Sequence, residues 1–299
     1  MEPKLDARGL QEKLKSSFTN VEGQDVPLDV RKIITEYRSI WGKLDFLKLN
    51  RILSNISKKI DVPFLTQKFI PEVFLVFDES SNSSGLYFGD KISLNLFNIE
   101  SEYLSLQRLY PNKPPKLLKE ICLLKVYVHE LMHHYSDSFN INKTIGFEVR
   151  IKDDRLFVAY NEAITELLAQ YVFDKYMENK ADVKFDASYI AYFDFSFIVR
   201  ELLYLSIELS GTELSGSAIE RAWFFTVKDY FDPNKLPIDN FMYQLVKWLG
   251  RDFATKLISL GQDNLSLLEE DSVMDELLLR IREVRLGNGL QEFAFPIAA

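Results

Sequence analysis

The chain has 299 residues, 47% of them apolar, a formal net charge of −8 and one cysteine. That apolar share is enough for a sizeable core in one or two domains, and a single cysteine excludes an internal disulfide. With a pI of about 5.1 and no basic tract of five residues or more, the composition argues against nucleic acid as a partner.

Met1-Glu2-Pro3-Lys4-Leu5-Asp6 holds no apolar run of the kind a secretory signal needs. Leu28 to Trp41 and Lys43 to Ile60 repeat apolar residues at every third or fourth position, which predicts two helices, the second ended by Asp61-Val62-Pro63. The period then shortens. Val73 to Phe77 predicts a short buried strand and Ser80 to Gly85 a serine-rich turn. Gly85 to Phe88 and Lys91 to Leu96 predict a hairpin about Gly89-Asp90. Glu102 to Tyr110 reads as helix and Pro111 to Pro115 as loop. A long helix over Lys116 to Ser136 follows, and its stretch Ile121 to Val128 is apolar except for Lys125, as in a core helix.

A second hairpin is expected from Gly146 to Ile151 and from Arg155 to Tyr160, joined by Lys152-Asp153-Asp154. A helix over Glu162 to Met177 is expected to begin close to Asn161. Beyond it the chain reads as helices over about 187–209, 216–231, 238–261 and 265–285. The most apolar run, Ala187 to Val199, is too short for a bilayer and carries Asp194, so a buried helix is expected and no membrane span. The last helix is acidic, with Glu269, Glu270, Asp271 and Glu276 on a solvated face. Together these features lead us to expect a cytoplasmic protein, with delivery by a signal-less route left open. The fold class is α+β and mostly helical, in three segments: an N-terminal helical region over 1–65, a core over 66–180 and a C-terminal helical region over 181–299.

All three histidines fall in one stretch, His129-Glu130-Leu131-Met132-His133-His134. It contains H-E-x-x-H, the pattern of a helical zinc site with a built-in general base. Residues four apart share a helix face, so His129 and His133 can aim two imidazoles at one metal. Glu130, turned roughly 100° from His129, can reach a water at that metal. His134 is turned by the same angle from His133 and is expected to pack structurally. A catalytic zinc site has three protein ligands. Glu162, in Asn161-Glu162-Ala163-Ile164-Thr165-Glu166, is a natural third. Glu166 shares its face and can hydrogen-bond a ligand imidazole from outside the coordination sphere. Cys122 lies two turns before His129, roughly 10 Å along the axis, and is expected to be a small core residue rather than a ligand.

The two motifs, His129-Glu130-Leu131-x-His133 and Asn161-Glu162-Ala163-Ile164-Thr165-Glu166, resemble those of the thermolysin-like, or gluzincin, zinc metallopeptidases. The resemblance covers roughly residues 116 to 175, about a fifth of the chain. It implies a zincin-like core with a small sheet over the active-site helix, and Zn2+ held by His129, His133 and Glu162. It further implies Glu130 as general base and Glu166 as the acid that orients the imidazole of His129. Asp137 falls where such proteins often carry an aspartate. The edge strand of the small sheet would bind the backbone of a peptide or protein substrate, and the hairpin over 85–96 is the candidate for it.

The chain departs from the family pattern in three ways. The spacer between His133 and Glu162 is long, 28 residues, and contains the second hairpin. No histidine follows His134, so a residue of another type must stabilise the oxyanion; Tyr160, Tyr189, Tyr192 and Tyr204 are candidates, with Arg221 a further one. No D-x-[DN]-x-[DN]-G calcium loop is present. The expected activity is zinc-dependent hydrolysis of peptide bonds. An alternative is a zinc-binding regulatory or protein-interaction module with little or no peptidase activity, its helical flanks recognising a partner or covering the cleft. A third is hydrolysis of a non-peptide amide by the same chemistry.

Overall fold

Two amphipathic helices lie early in the chain, α1 (Leu28–Trp41) and α2 (Phe46–Ile60). Both form where the apolar spacing predicts them, and they bury Tyr37, Ile40, Trp41, Leu49, Leu53 and Ile56 along one stripe. The computed structural model describes residues 18–20, 27–67, 71–137, 144–151, 154–178, 193–232, 237–261 and 267–290. The chain divides into two units. The first comprises Met1–Ser57, Pro63–Tyr135 and Ala169–Ala181; the second comprises Lys58–Val62, Ser136–Leu168 and Asp182–Ala299.

In the first unit a short helix α3 (Phe64–Gln67) precedes a four-stranded sheet. Its strands are β1 (Phe18–Asn20), β2 (Glu72–Val76), β3 (Gly85–Phe88) and β4 (Lys91–Asn95), in the order β1-β2-β4-β3. The β1–β2 and β2–β4 pairs are parallel. The hairpin strand β3 runs antiparallel to β4 at the outer edge, with Gly85 opposite Leu94 and Tyr87 opposite Ile92. Period-two alternation sends Val73, Leu75, Ile92 and Leu94 into the core, while Glu72 and Lys91 face out. Helix α4 (Leu96–Leu109) starts directly from β4, six residues earlier than its apolar pattern suggests. The reason is a cap: Asn95 Oδ1 accepts from the Phe97 amide at 3.2 Å.

Helix α5 (Pro115–Ser136) is buried through its middle. Tyr127 meets Trp41 edge-on with ring centroids 4.8 Å apart, and Phe46 completes the cluster. Nearer its start, Lys119 donates to Glu36 Oε2 at 2.8 Å and Glu100 Oε1 at 2.9 Å, its ammonium lying over the rings of Tyr37 and Tyr103. Cys122 is buried on this helix, and burial pushes its thiol well above the usual range.

In the second unit a three-stranded antiparallel sheet is built from β5 (Thr144–Ile145), β6 (Glu148–Ile151) and β7 (Asp154–Leu156). The expected hairpin is therefore present but ends early. Phe157 takes a left-handed conformation, φ 61°, and helix α6 (Val158–Met177) begins at once, four residues before the expected Glu162 start. Its first amides find acceptors far along the chain: Phe157 donates to Ile258 O and Ala159 to Leu260 O. Through Leu168 this helix belongs to the second unit, and from Ala169 to the first.

The remaining helices are α7 (Phe193–Leu209), α8 (Gly216–Phe231), α9 (Pro237–Leu249), α10 (Arg251–Ser259) and α11 (Leu267–Gly287). The single helix expected over 238–261 is two, broken at Gly250, whose φ of 90° no helix accommodates. Residues 187–192 of the expected apolar helix lie outside the described residues. Arg285, fully buried, reaches Glu208 at 2.7 Å and so ties α11 to α7. The architecture is mostly helical with two small sheets, as the α+β assignment expects. Among the described residues, no helix is long and apolar enough to cross a membrane.

Candidate metal centre

One helical turn on α5 brings the two expected histidine ligands together. The imidazoles of His129 and His133 stand with centroids 5.0 Å apart and planes at 72°, and their Nε2 atoms are 3.2 Å apart. Two nitrogens bound at 2.0–2.1 Å to one tetrahedral zinc lie about 3.3 Å apart. The pair is thus spaced as two ligands of one ion. The ligand atoms of His129, His133 and Glu162 all lie within 4.8 Å of one another, and this is the only such group of three or more among the described residues. In a tetrahedral zinc site a nitrogen and an oxygen ligand lie about 3.4 Å apart, so the Glu162 carboxylate has to close by up to about 1.4 Å to share one ion with the imidazoles. Two imidazoles and a carboxylate are one of the donor sets that catalytic zinc uses, with a position left for water. The donor set and the imidazole spacing fit a bound metal ion.

His133 is buried, whereas Glu162 is half-buried. Glu130 is 7% exposed. The outer strand β3 runs against the site helix beside it: a Cβ built on Gly85 would lie 2.6 Å from Glu130 Oε1 and 2.7 Å from Val126 Cγ1. The small sheet therefore lies over this helix at the Glu130 position. The loop that leads into β3 is held in place by side chains. Asn95 Nδ2 donates to Asp78 O and Ser83 O, Asn98 Nδ2 to Ser81 O and Ser83 O, and Ser84 Oγ to Glu102 Oε1.

The other expected residues separate. Glu166 is buried one turn beyond Glu162 on α6. Asp137 follows the end of α5 and pairs by its backbone with Ile145, in the first strand of the three-stranded sheet. His134 is buried against the rings of Tyr87 and Tyr135, as packing requires. Tyr160 lies within α6 rather than before it. It is buried edge-on to Phe147 at 5.2 Å, and burial raises its hydroxyl far above the ordinary range. Tyr204 is half-buried on α7, its hydroxyl raised by burial with Arg200 opposing. Arg221 is exposed on α8. Tyr189 and Tyr192 lie outside the described residues.

Two residues of the site carried no expected role. Gly85 reads in the sequence as the end of a turn and the start of a hairpin strand; nothing local marks its approach to Glu130. Asn161 is fully buried, and its Oδ1 accepts from the Phe147 amide at 2.9 Å, anchoring the second sheet to the residue next to Glu162. Thr165 continues this buried row, donating to Asn161 O and sharing a 2.7 Å hydrogen bond with the Tyr230 hydroxyl. The signal was present as polar residues four apart on the face of an otherwise apolar helix. Compared with models of protein families, with curated proteins and with solved structures, the chain matches none.

Proposed function

We propose that the chain is a zinc-dependent metallopeptidase of the gluzincin type. The observation that carries this reading is the convergence of His129, His133 and Glu162 with a buried Glu130 at the next position on the same helix. A purely structural zinc site has no use for that glutamate. Among the described residues the outer strand β3 pairs on one side only, and that edge suits an extended peptide added as a further strand.

In this reading His129, His133 and Glu162 hold the ion. Bound there, zinc supplies Lewis acidity toward the scissile carbonyl and the attacking water. Glu130 accepts a proton from that water as its oxygen bonds to the carbonyl carbon. It then gives the proton to the amide nitrogen as the C–N bond breaks, leaving a free carboxylate and a free amine. Glu166 orients an imidazole ligand.

The test pairs metal analysis with cleavage of a peptide library by the parent chain and by Glu130→Gln. Both proteins should carry one zinc, and the substitution should lower cleavage by roughly 10²–10⁴-fold. Cleavage that survives the substitution removes Glu130 as the base. Zinc bound tightly with no peptide cleaved would favour the zinc-binding interaction module instead.

A further inference from the structure

We infer that Gly85 is a positioning residue for Glu130, its bare backbone setting where the carboxylate stands. The inference rests on the reading of Glu130 as general base. Gly85 is not needed for its backbone conformation, since it is absent from the glycines with positive φ. What it supplies is space. A methyl group there would overlap three atoms at once, Glu130 Oε1 at 2.6 Å, Glu130 Cγ at 2.7 Å and Val126 Cγ1 at 2.7 Å. Contacts this short are repulsive, so something must move.

The strand is poorly placed to yield. Gly85 pairs with Leu94, Ser83 Oγ donates to the Gly85 carbonyl, and Ser84 O accepts from the Asn95 amide at 2.8 Å. The helix is equally confined, with Leu123, Leu124, Tyr127, Val128 and Leu131 all buried around the two contacted residues. The Glu130 side chain is the part that can rotate, and its carboxylate is the reacting group. A shift of about 1 Å in such a group can cost on the order of 10²-fold in rate.

The experiment compares Gly85→Ala, Val126→Ala and the double variant in the full zinc-loaded chain. Gly85→Ala should keep one zinc per chain and hold KM within about threefold, while kcat falls by about 100-fold. Val126→Ala should retain the parent kcat. The double variant, freed of the valine overlap but not of the carboxylate overlap, should stay as slow as Gly85→Ala. If Gly85→Ala is too unstable to study alone, the comparison of Val126→Ala with the double variant carries the test. A crystal structure of the alanine variant gives a readout independent of turnover: the Glu130 carboxylate should move while β3 stays in place. Recovery of kcat in the double variant, or a β3 that shifts while Glu130 does not, overturns the proposal. An inactive parent chain would count against the peptidase reading and leave the crystallographic comparison to decide this one.

Discussion

The two ends of helix α5 handle buried polar groups in opposite ways. Near its start, Lys119 sits between the carboxylates of Glu36 and Glu100 and over two aromatic faces, a cation whose partners the chain itself provides. Ten residues on, about 15 Å along the axis, His129 and His133 bring their Nε2 atoms to 3.2 Å, with a Glu162 ligand atom within 4.8 Å of both. One cluster is a closed ion group; the other is a set of electron-pair donors whose natural complement is a cation. The second unit repeats the first pattern in its sheet, where Glu148 takes Arg155 in a two-bond pair and Arg150 besides. Burial alone does not separate these clusters; the composition of each does.

The largest test of this contrast is His133→Ala. It should weaken zinc binding by more than about 100-fold, because even the outer hydrogen bonds to such ligands are worth 10–100-fold. It should abolish cleavage with the fold intact by circular dichroism, and zinc titration by calorimetry measures it. Next comes Lys119→Met, which leaves two carboxylates facing an apolar side chain. We expect a loss of about 3 kcal/mol in urea unfolding, the low end for breaking a buried pair because Glu36 is half-exposed. Zinc stoichiometry should not change. If zinc is lost as well, the two ends of α5 are not independent.

Glu166→Gln should lower zinc affinity by about 10–100-fold, or 1.4–2.8 kcal/mol, without removing the metal at saturating concentration. An affinity equal to the parent's would deny Glu166 any part in holding a ligand. The smallest effect concerns pH. Burial pushes the Glu148 carboxyl up, but the hydrogen bonds and charges of Arg155 and Arg150 outweigh it and hold the group below its ordinary value. Its contribution is therefore present above the unfolded value of about 4.3 and is lost as pH falls through the lower folded value. Glu148→Gln should flatten the acid limb of stability by on the order of 1 kcal/mol, read from unfolding curves between about pH 5 and pH 2.

Much of the candidate site was legible because its geometry is local. The spacing of His129 and His133 becomes a 3.2 Å pair of nitrogens through one turn of helix. The strands and the hairpin at 85–95 followed from alternation and from Gly89-Asp90. What escaped depends on residues distant in sequence. The α6 helix starts at Val158 because Ile258 and Leu260 accept its first amides, and no local pattern announces that. Gly250 interrupts an apolar periodicity that by itself reads as continuous. Tyr160, as a candidate oxyanion donor, was placed outside the helix for the same reason that the helix start was late.

The sequence by itself determined the candidate donor residues, the glutamate beside them and the helix that spaces the two imidazoles, since these depend on 3.6 residues per turn and on side-chain chemistry. Tertiary structure alone decided that the carboxylate of Glu162 comes to the two imidazoles across 28 intervening residues. It also decided that a strand 45 residues before Glu130 touches it through a glycine. Such contacts follow from how segments pack. Packing selects among faces that local spacing leaves equivalent.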